Sequence, residues 1–223
     1  MSVTATAPEQ PPSLIETLRV EPGHQIPLLD HHLRRLQRSC RELGHPWPGD
    51  TSLRDRFAQA VAALDPEHAW RLRLLLSPSG GVQLETGPLP AVPPPLKVVV
   101  QGPRMGGAEA WLQHKTTHRP WYREAADWLN DHPDIFDILY WNEDGWMSEG
   151  SRSNLYMQTP DGRWITPPLP AGVLPGTQRA ALLERGQVSE APIHRDAFLQ
   201  ATRRRISNGL RGWQDVVVVD FSA

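Results

Sequence analysis

The stretch from Asp137 to Met157 (DILYWNEDGWMSEGSRSNLYM) most limits what this chain can fold into. Strand-forming residues flank the pair Asp144-Gly145, a pattern that predicts a hairpin. Glu149 follows the turn among small polar residues, a position that proteins seldom give to an acid without a cationic partner. An ion pair with Arg152 or the capping of a turn would be the simplest explanation. The alternative is that Glu149 faces a cation that belongs to a ligand.

Helices and strands are mixed along the chain without a strict β-α-β alternation, which indicates an α/β (α+β) fold. Apolar residues recur at helical spacing over 31–43, with Asp30 as the expected N-cap, and again over 53–64. Another short helix should open at Gly176. Before the predicted hairpin, the clearest strand patterns are Leu14–Val20, Trp70–Ser77 and Leu96–Gln101.

Two lobes are expected on either side of a glycine-rich segment. Residues 102–110 carry three glycines, a proline and few apolar side chains, so they should form a linker. The N-terminal α/β lobe would then span 13–101 and the C-terminal α/β lobe 111–223. Residues 1–12 (MSVTATAPEQPP) lack a periodic apolar pattern and should form a disordered tail.

Charge and cysteine content exclude several classes of protein. With 23 basic and 25 acidic residues, the chain has a formal net charge of −2, so nucleic acid is not an expected partner. The single Cys40 excludes an internal disulfide, and no apolar run is long enough for a membrane span or a secretory signal. A cytoplasmic location without membrane contact is expected.

Four sites together could bind a reactive cofactor, although each of them alone has a simpler explanation. Lys115 and Arg35 could be solvated surface cations, Glu149 could form an ordinary ion pair, and the helix start at Gly176-Thr177-Gln178 could bind only water. Together they supply an amine that can form an imine, an acid that can hold a pyridinium nitrogen protonated, and a cationic-plus-amide cradle for a phosphate. These are the requirements of pyridoxal 5'-phosphate.

Five segments resemble one known family in the order in which that family carries them. They are ETLRV (16–20), DHHLRRL (30–36), HKTTHR (114–119), SEGSRSNLY (148–156) and GVLPGTQR (172–179). The chain thereby resembles the fold-type IV pyridoxal-phosphate enzymes, or class IV aminotransferases, from Leu14 to Gly212. Of the family's G-D-G-x-F-E-T approach, only Ile15-Glu16-Thr17 is present.

The resemblance implies a two-lobe architecture with the active site between the lobes, and a homodimer. It implies that Lys115 is the catalytic residue that carries the cofactor and that Glu149 contacts the pyridine nitrogen. The remaining cofactor-binding residues implied are Arg35, Asn154, Gly176, Thr177 and Gln178. No metal is expected, because His114 and His118 have helical spacing but lack the glutamate and the third ligand of a zinc site.

Among the branches of the family, the sequence is most similar to 4-amino-4-deoxychorismate lyase. The similarity rests on Lys115 to Arg119 (KTTHR) and on Asn208 to Gly212 (NGLRG). It implies elimination of pyruvate from aminodeoxychorismate to give 4-aminobenzoate, a step of folate biosynthesis, with Arg119, Asn208 and Arg211 as substrate contacts or as loop-stabilising side chains. A class IV aminotransferase acting on branched-chain or D-amino acids is the first alternative. A non-catalytic protein that keeps the fold is the second.

Overall fold

The computed structural model describes residues 11–103 and 109–220. These residues form two compact units. The N-terminal unit holds 11–91 together with 114–118, and the C-terminal unit holds 92–103, 109–113 and 119–220. Most of the predicted tail (1–12) and the centre of the predicted linker (102–110) lie outside the described residues. Pro12 is described and buried, and its carbonyl accepts a hydrogen bond from Nε2 of His45 at 2.9 Å.

The division between the units differs from the expected lobes in two places. The strand Leu96–Gln101 belongs to the C-terminal unit, because it pairs there with strands on both of its sides. Residues 114–118 belong to the N-terminal unit, because they run beside its first strand. In both cases, hydrogen bonds to strands that are distant in sequence decide the unit to which a segment belongs.

The N-terminal unit is an antiparallel three-stranded sheet with two helices. The strands lie in the order β1-β2-β3. The elements are β1 (Leu14–Val20), α1 (Leu29–Leu43), α2 (Asp50–Ala62), β2 (Trp70–Leu76) and β3 (Val82–Pro88). The sequence pattern does not predict β3, because its side chains form no consistently buried face and the strand ends in Thr86-Gly87-Pro88.

Strict alternation in β1 places every second side chain in the core of the N-terminal unit. Leu14, Leu18 and Val20 are buried there against the apolar face of α1, where Leu33 and Leu36 lie. The expected capping by Asp30 is wrong: α1 begins at Leu29 and its N-cap is Leu28, without a side-chain cap. Asp30 instead lies in the first turn and accepts a hydrogen bond from Nη2 of Arg54 at 2.6 Å.

The C-terminal unit is built on an eight-stranded mixed sheet in the order β6-β5-β4-β11-β10-β7-β8-β9. Its strands are β4 (Leu96–Gln101), β5 (Asp137–Trp141), β6 (Met147–Gly150), β7 (Asn154–Gln158), β8 (Trp164–Thr166), β9 (Ser189–Glu190), β10 (Arg204–Asn208) and β11 (Gly212–Val218). Its helices are α3 (Glu109–Leu112), α4 (Arg123–Asp131), α5 (Thr177–Glu184) and α6 (Arg195–Gln200).

This sheet curls. Strands β6 and β7 are first and sixth in the sheet order, yet only residues 151–153 connect them, and the amide of Gly150 donates to the carbonyl of Ser153 at 2.7 Å. The predicted hairpin is confirmed as β5 and β6, with Gly145 in the left-handed conformation at its turn (φ 83°). The mixture of helices with a curled sheet confirms the α/β (α+β) class. None of the described helices combines the length and the apolar character that crossing a bilayer requires.

Candidate active site

Lys115 lies on a short extended segment that extends the sheet of the N-terminal unit. The amide of Ile15 donates to the carbonyl of Lys115 at 2.8 Å, and the amide of Thr117 donates to the carbonyl of Ser13 at 2.9 Å. Residues 114–118 thus pair with the start of β1 on the side opposite β2. These backbone bonds fix the position from which the half-buried Lys115 side chain extends.

His114 anchors the same segment to α1. Its Nδ1 lies 2.9 Å from Oγ of Ser39, and its Nε2 lies 3.5 Å from Oε2 of Glu42. Burial lowers the pKa of His114. Within 11–103 and 109–220, no group of three His, Cys, Asp or Glu side chains is arranged as metal ligands.

Arg35 is buried in α1 and forms a bidentate ion pair with Glu16 of β1. Its Nε donates to Oε1 of Glu16 at 2.8 Å and its Nη2 donates to Oε2 at 2.5 Å. Nδ1 of His32 donates to the same Oε2 at 2.6 Å. Burial alone would raise the pKa of Glu16, but the charges and hydrogen bonds of Arg35 and His32 lower it to about 2. Glu16 is therefore an anion, and Arg35 is its buried cationic partner.

Lys115 lies within electrostatic range of this group. Burial is the largest cause of a lowered pKa at His32, the Glu16 carboxylate opposes it, and the positive charges of Arg35 and Lys115 add to the lowering. Two of the predicted cofactor-binding residues, Lys115 and Arg35, therefore share one cluster in the N-terminal unit.

Glu149 is buried in β6 of the C-terminal unit and is held at both carboxylate oxygens. The hydroxyl of Tyr122 donates to Oε1 at 2.8 Å, and the amide of Leu174 donates to Oε2 at 2.8 Å. Nδ2 of Asn154 lies 3.5 Å from Oε2 and donates to the carbonyl of Leu174 at 2.9 Å. A phenol, a backbone amide and a side-chain amide thus contact the Glu149 carboxylate.

The start of α5 lies against Asn154. A Cβ atom placed on Gly176 would come within 2.0 Å of Oδ1 of Asn154, so only glycine allows this approach. Gly176 is the N-cap of α5, where it supplies no side chain to accept from the N–H groups of the first turn. Thr177, which is buried, and Gln178 are the first two residues of the helix. Glu149, Asn154 and the α5 start thus form a second cluster.

A buried aspartate holds the connection beside Glu149. Asp137 accepts hydrogen bonds from Oγ of Ser151 at 2.6 Å and from Oγ of Ser153 at 2.5 Å, and from the amide of Arg152 at 3.1 and 3.2 Å. Burial raises the pKa of Asp137 against the effect of these donors. The serines of the SEGSRSN segment therefore fix the turn between β6 and β7.

The predicted substrate-contacting residues lie at two places in the C-terminal unit. Cζ of Arg119 lies 4.7 Å from the ring centroid of Tyr122. Oδ1 of Asn208 accepts from the amides of Leu210 and Arg211 at 3.0 and 2.8 Å, which is the loop-stabilising role. Since Ser207 of β10 pairs with Asn154 of β7, this turn lies one strand from the Glu149 cluster. Contact of Arg119, Asn208 and Arg211 with a substrate stays a prediction.

Three residues of these clusters are absent from the sequence prediction: Glu16, His32 and Tyr122. Glu16 could have been found, because it occupies an inward position in the alternating pattern of β1 and a buried acid needs a partner. Tyr122 had no such signal, since its contact with Glu149 joins positions that are 27 residues apart.

The residues present fit pyridoxal phosphate. The N-terminal unit offers an amine and a buried guanidinium, and the C-terminal unit offers a buried, hydrogen-bonded carboxylate and a helix start whose cap is glycine. An amine can bind an aldehyde covalently, a carboxylate can hold a protonated ring nitrogen, and cations and helix N-termini bind phosphate.

Comparison with known families agrees with this donor set. Residues 13–219 match the model described as "Amino-transferase class IV". The chain belongs to the class IV aminotransferase family. This family consists of pyridoxal-phosphate-dependent enzymes, and both lyases and aminotransferases are among the relatives of the chain.

The relatives carry two kinds of name. A Schizosaccharomyces pombe protein named "Putative aminodeoxychorismate lyase" is 32% identical over 167 residues, which cover 73% of this chain and 70% of the relative. A structure named as a "Putative amino-acid aminotransferase" from Mesorhizobium loti has a TM-score of 0.83 and 29% identity, covering 93% of this chain and 99% of the other. A PLP-bound "hypothetical aminotransferase" from Mycobacterium tuberculosis shares the fold at TM-score 0.76 and 21% identity, covering 94% and 82%.

Proposed function

We propose that this class IV enzyme is a 4-amino-4-deoxychorismate lyase that uses pyridoxal phosphate to eliminate pyruvate and form 4-aminobenzoate. The observation that carries the proposal is the N-G-L-R-G turn at 208–212, which the register between β10 and β7 places beside the Glu149 cluster. The turn resembles that of the lyase branch. The 32% identity to the S. pombe protein supports the same branch.

In the proposed reaction, the residues of the clusters have separate tasks. Lys115 binds the cofactor, while Arg35 and the amides of Thr177 and Gln178 bind its phosphate. Glu149, fixed by Tyr122 and Leu174, holds a proton on the ring nitrogen. When bound, pyridoxal phosphate supplies an electron sink for the carbanion formed at the substrate carbon.

The amine of Lys115 also moves the protons. When it is not bound to the cofactor, this amine would remove the proton on the amino-bearing ring carbon of the substrate, a role worth about 10²- to 10⁴-fold in rate. The C–O bond to the enolpyruvyl group then breaks, and the Lys115 ammonium protonates the departing enolpyruvate to give pyruvate. The ring becomes aromatic, which drives the step.

A decisive experiment supplies aminodeoxychorismate to the purified protein without any keto acid. We expect pyruvate and 4-aminobenzoate in equal amounts. If neither forms while an amino acid and a keto acid exchange amino groups, the protein is the aminotransferase that the 29% identity to the M. loti structure favours. A protein that binds pyridoxal phosphate but catalyses neither reaction would be the non-catalytic alternative.

The chain offers an internal control for the cofactor-binding lysine, because Lys97 and Lys115 are its two lysines. Lys97 lies in β4 with its side chain half exposed and its Nζ 3.1 Å from Oδ2 of Asp134. After incubation with pyridoxal phosphate and borohydride reduction, peptide mass spectrometry should find the label on Lys115. Lys115→Ala should abolish both the label and activity, and Lys97→Ala should change neither. Label on Lys97 alone would contradict the assignment of Lys115.

The homodimer expected from the resemblance stays part of the proposal. Sedimentation at several protein concentrations would test it, and a monomer with full activity would contradict it.

A further inference from the structure

The hydroxyl of Tyr122 makes a direct contact with the predicted cofactor-binding acid. Tyr122 is 4% exposed, and its hydroxyl lies 2.8 Å from Oε1 of Glu149. Tyr122 ends the short 3-10 turn Pro120–Tyr122, which precedes α4. A buried hydroxyl that donates to a buried carboxylate strongly favours its ionised form, because hydrogen bonds to charged groups are about twice as strong as neutral ones.

Two donors together fix the plane of the Glu149 carboxylate. The Leu174 amide holds Oε2 and the Tyr122 hydroxyl holds Oε1, so rotation about the last side-chain torsion would break both bonds. A carboxylate that is to face a ring nitrogen must keep its charge and its direction. The backbone amide of Leu174 is present whatever the side chain at that position, whereas the Tyr122 contact depends on one hydroxyl.

Tyr122 is itself held by its neighbours. Its ring centroid lies 5.6 Å from that of Tyr140, and Cζ of Arg119 lies 4.7 Å from it. A guanidinium over the ring face draws electron density from the phenol, which makes its hydroxyl a better donor. Tyr140 and Arg119 thus hold the ring of Tyr122 from two neighbouring positions.

We propose that Tyr122 is a positioning residue that keeps Glu149 ionised and aimed at the ring nitrogen of the cofactor. This inference rests on the proposed function. It assigns to Tyr122 no proton transfer and no contact with the reacting atoms. Its effect should therefore be seen in cofactor affinity and should depend on the carboxylate of Glu149.

The test is a double-mutant cycle in which the affinity for pyridoxal phosphate is measured for each variant. Tryptophan fluorescence, recorded without substrate, reports the binding. Tyr122→Phe keeps the ring and its packing but removes the hydroxyl. It should weaken binding about tenfold in the wild-type background. In the Glu149→Gln background, where no carboxylate remains, the same change should weaken binding by less than about twofold.

Tyr156→Phe is the matched control. Tyr156 is fully buried in the same unit, and its hydroxyl bonds to Oγ of Ser207 at 2.7 Å. It should change cofactor affinity by less than about twofold. Thermal unfolding of all variants, without cofactor, checks that each protein folds.

The outcomes separate this inference from the proposed function. If wild type binds pyridoxal phosphate and Tyr122→Phe binds it equally well, or loses equal affinity in both backgrounds, the positioning role is wrong and the proposed function stands. If wild type fails to bind the cofactor, both are overturned. A fall in kcat of Tyr122→Phe that exceeds any change in KM at saturating cofactor would support the role independently, because ring protonation acts on the chemical step.

Discussion

The guanidinium of Arg35 lies against both carboxylate oxygens of Glu16, and the two side chains join β1 to α1 in the interior of the N-terminal unit. Both side chains are buried. Such a pair is weak evidence of net stability, but removal of one partner leaves an uncompensated charge in a site of low dielectric constant. The Glu16 carboxylate also fixes the guanidinium of Arg35, which is proposed to bind the cofactor phosphate.

Glu16→Gln should therefore destabilise the protein strongly. We expect the free energy of unfolding to fall by about 3 kcal/mol in urea denaturation at pH 7. Glu85→Gln is the control, because Glu85 pairs with Arg73 at 3.8 Å where both side chains are more than a third exposed, and it should cost less than about 1 kcal/mol. Equal losses in the two variants would contradict the view that burial makes the Glu16 pair costly to break.

The same residue predicts how stability changes with pH. The pKa of Glu16 is about 2 in the folded protein against 4.5 as its ordinary value, so its contribution is complete above pH 4.5 and is lost as the pH falls through about 2. The shift corresponds to roughly 3 kcal/mol. The difference in unfolding free energy between wild type and Glu16→Gln, measured from pH 7 to pH 3, should shrink below pH 4.5. A difference that stays constant over this range would refute the linkage.

His32 should add acid sensitivity at higher pH. Burial lowers its pKa from an ordinary value of 6.5, so the folded state favours the neutral ring and loses stability as the pH drops below 6.5. Urea denaturation of His32→Gln at pH 7.5 and at pH 5.5 checks this effect. The variant should lose less stability than wild type over that interval, and an equal loss would contradict the assignment.

Gly176→Ala should disturb the start of α5. The new Cβ would overlap Oδ1 of Asn154, which is held in place by the bond from Nδ2 to the carbonyl of Leu174. We expect a cost of about 1–3 kcal/mol in thermal or urea unfolding and weaker binding of pyridoxal phosphate. Adding Asn154→Ala removes the overlapping atom. If the stability losses of the two single variants simply add up in the double variant, the overlap is not the cause.

Asn208 allows its two possible roles to be separated. Asn208→Ala removes the acceptor of two amides in the 208–212 turn and should cost about 1 kcal/mol. Asn208→Asp keeps that oxygen, so its stability should stay closer to that of wild type. If Asn208 also contacts an anionic substrate, the aspartate should raise KM for aminodeoxychorismate by repulsion. An unchanged KM in Asn208→Asp would mean that Asn208 stabilises the turn and does not contact the substrate.

Local patterns predicted much of this fold. The strand at 14–20, the strand at 96–101 and the hairpin after Asp137 follow from alternation and turn chemistry, and all three are observed. The predicted helix start at Gly176 is also observed, with Gly176 as the N-cap of α5. These features depend on residues that are close in sequence.

Features that depend on distant residues were beyond the sequence pattern. Pairing of residues 114–118 with β1 joins positions about a hundred residues apart, and no local pattern indicates it. The contact of Tyr122 with Glu149 was beyond the sequence pattern for the same reason, since it joins two distant positions of the chain. Tertiary packing decides which donors a buried acid meets.

Synthesis on the ribosome gives the pairing at Lys115 a further consequence. The nascent chain completes β1, β2 and β3 long before residues 114–118 emerge, and during that interval the amide of Ile15 and the carbonyl of Ser13 lack their final strand partner. An open strand edge of this kind can pair with another chain. The segment that carries Lys115 therefore also closes this edge, and a fragment that ends before residue 114 should aggregate more readily than the whole chain.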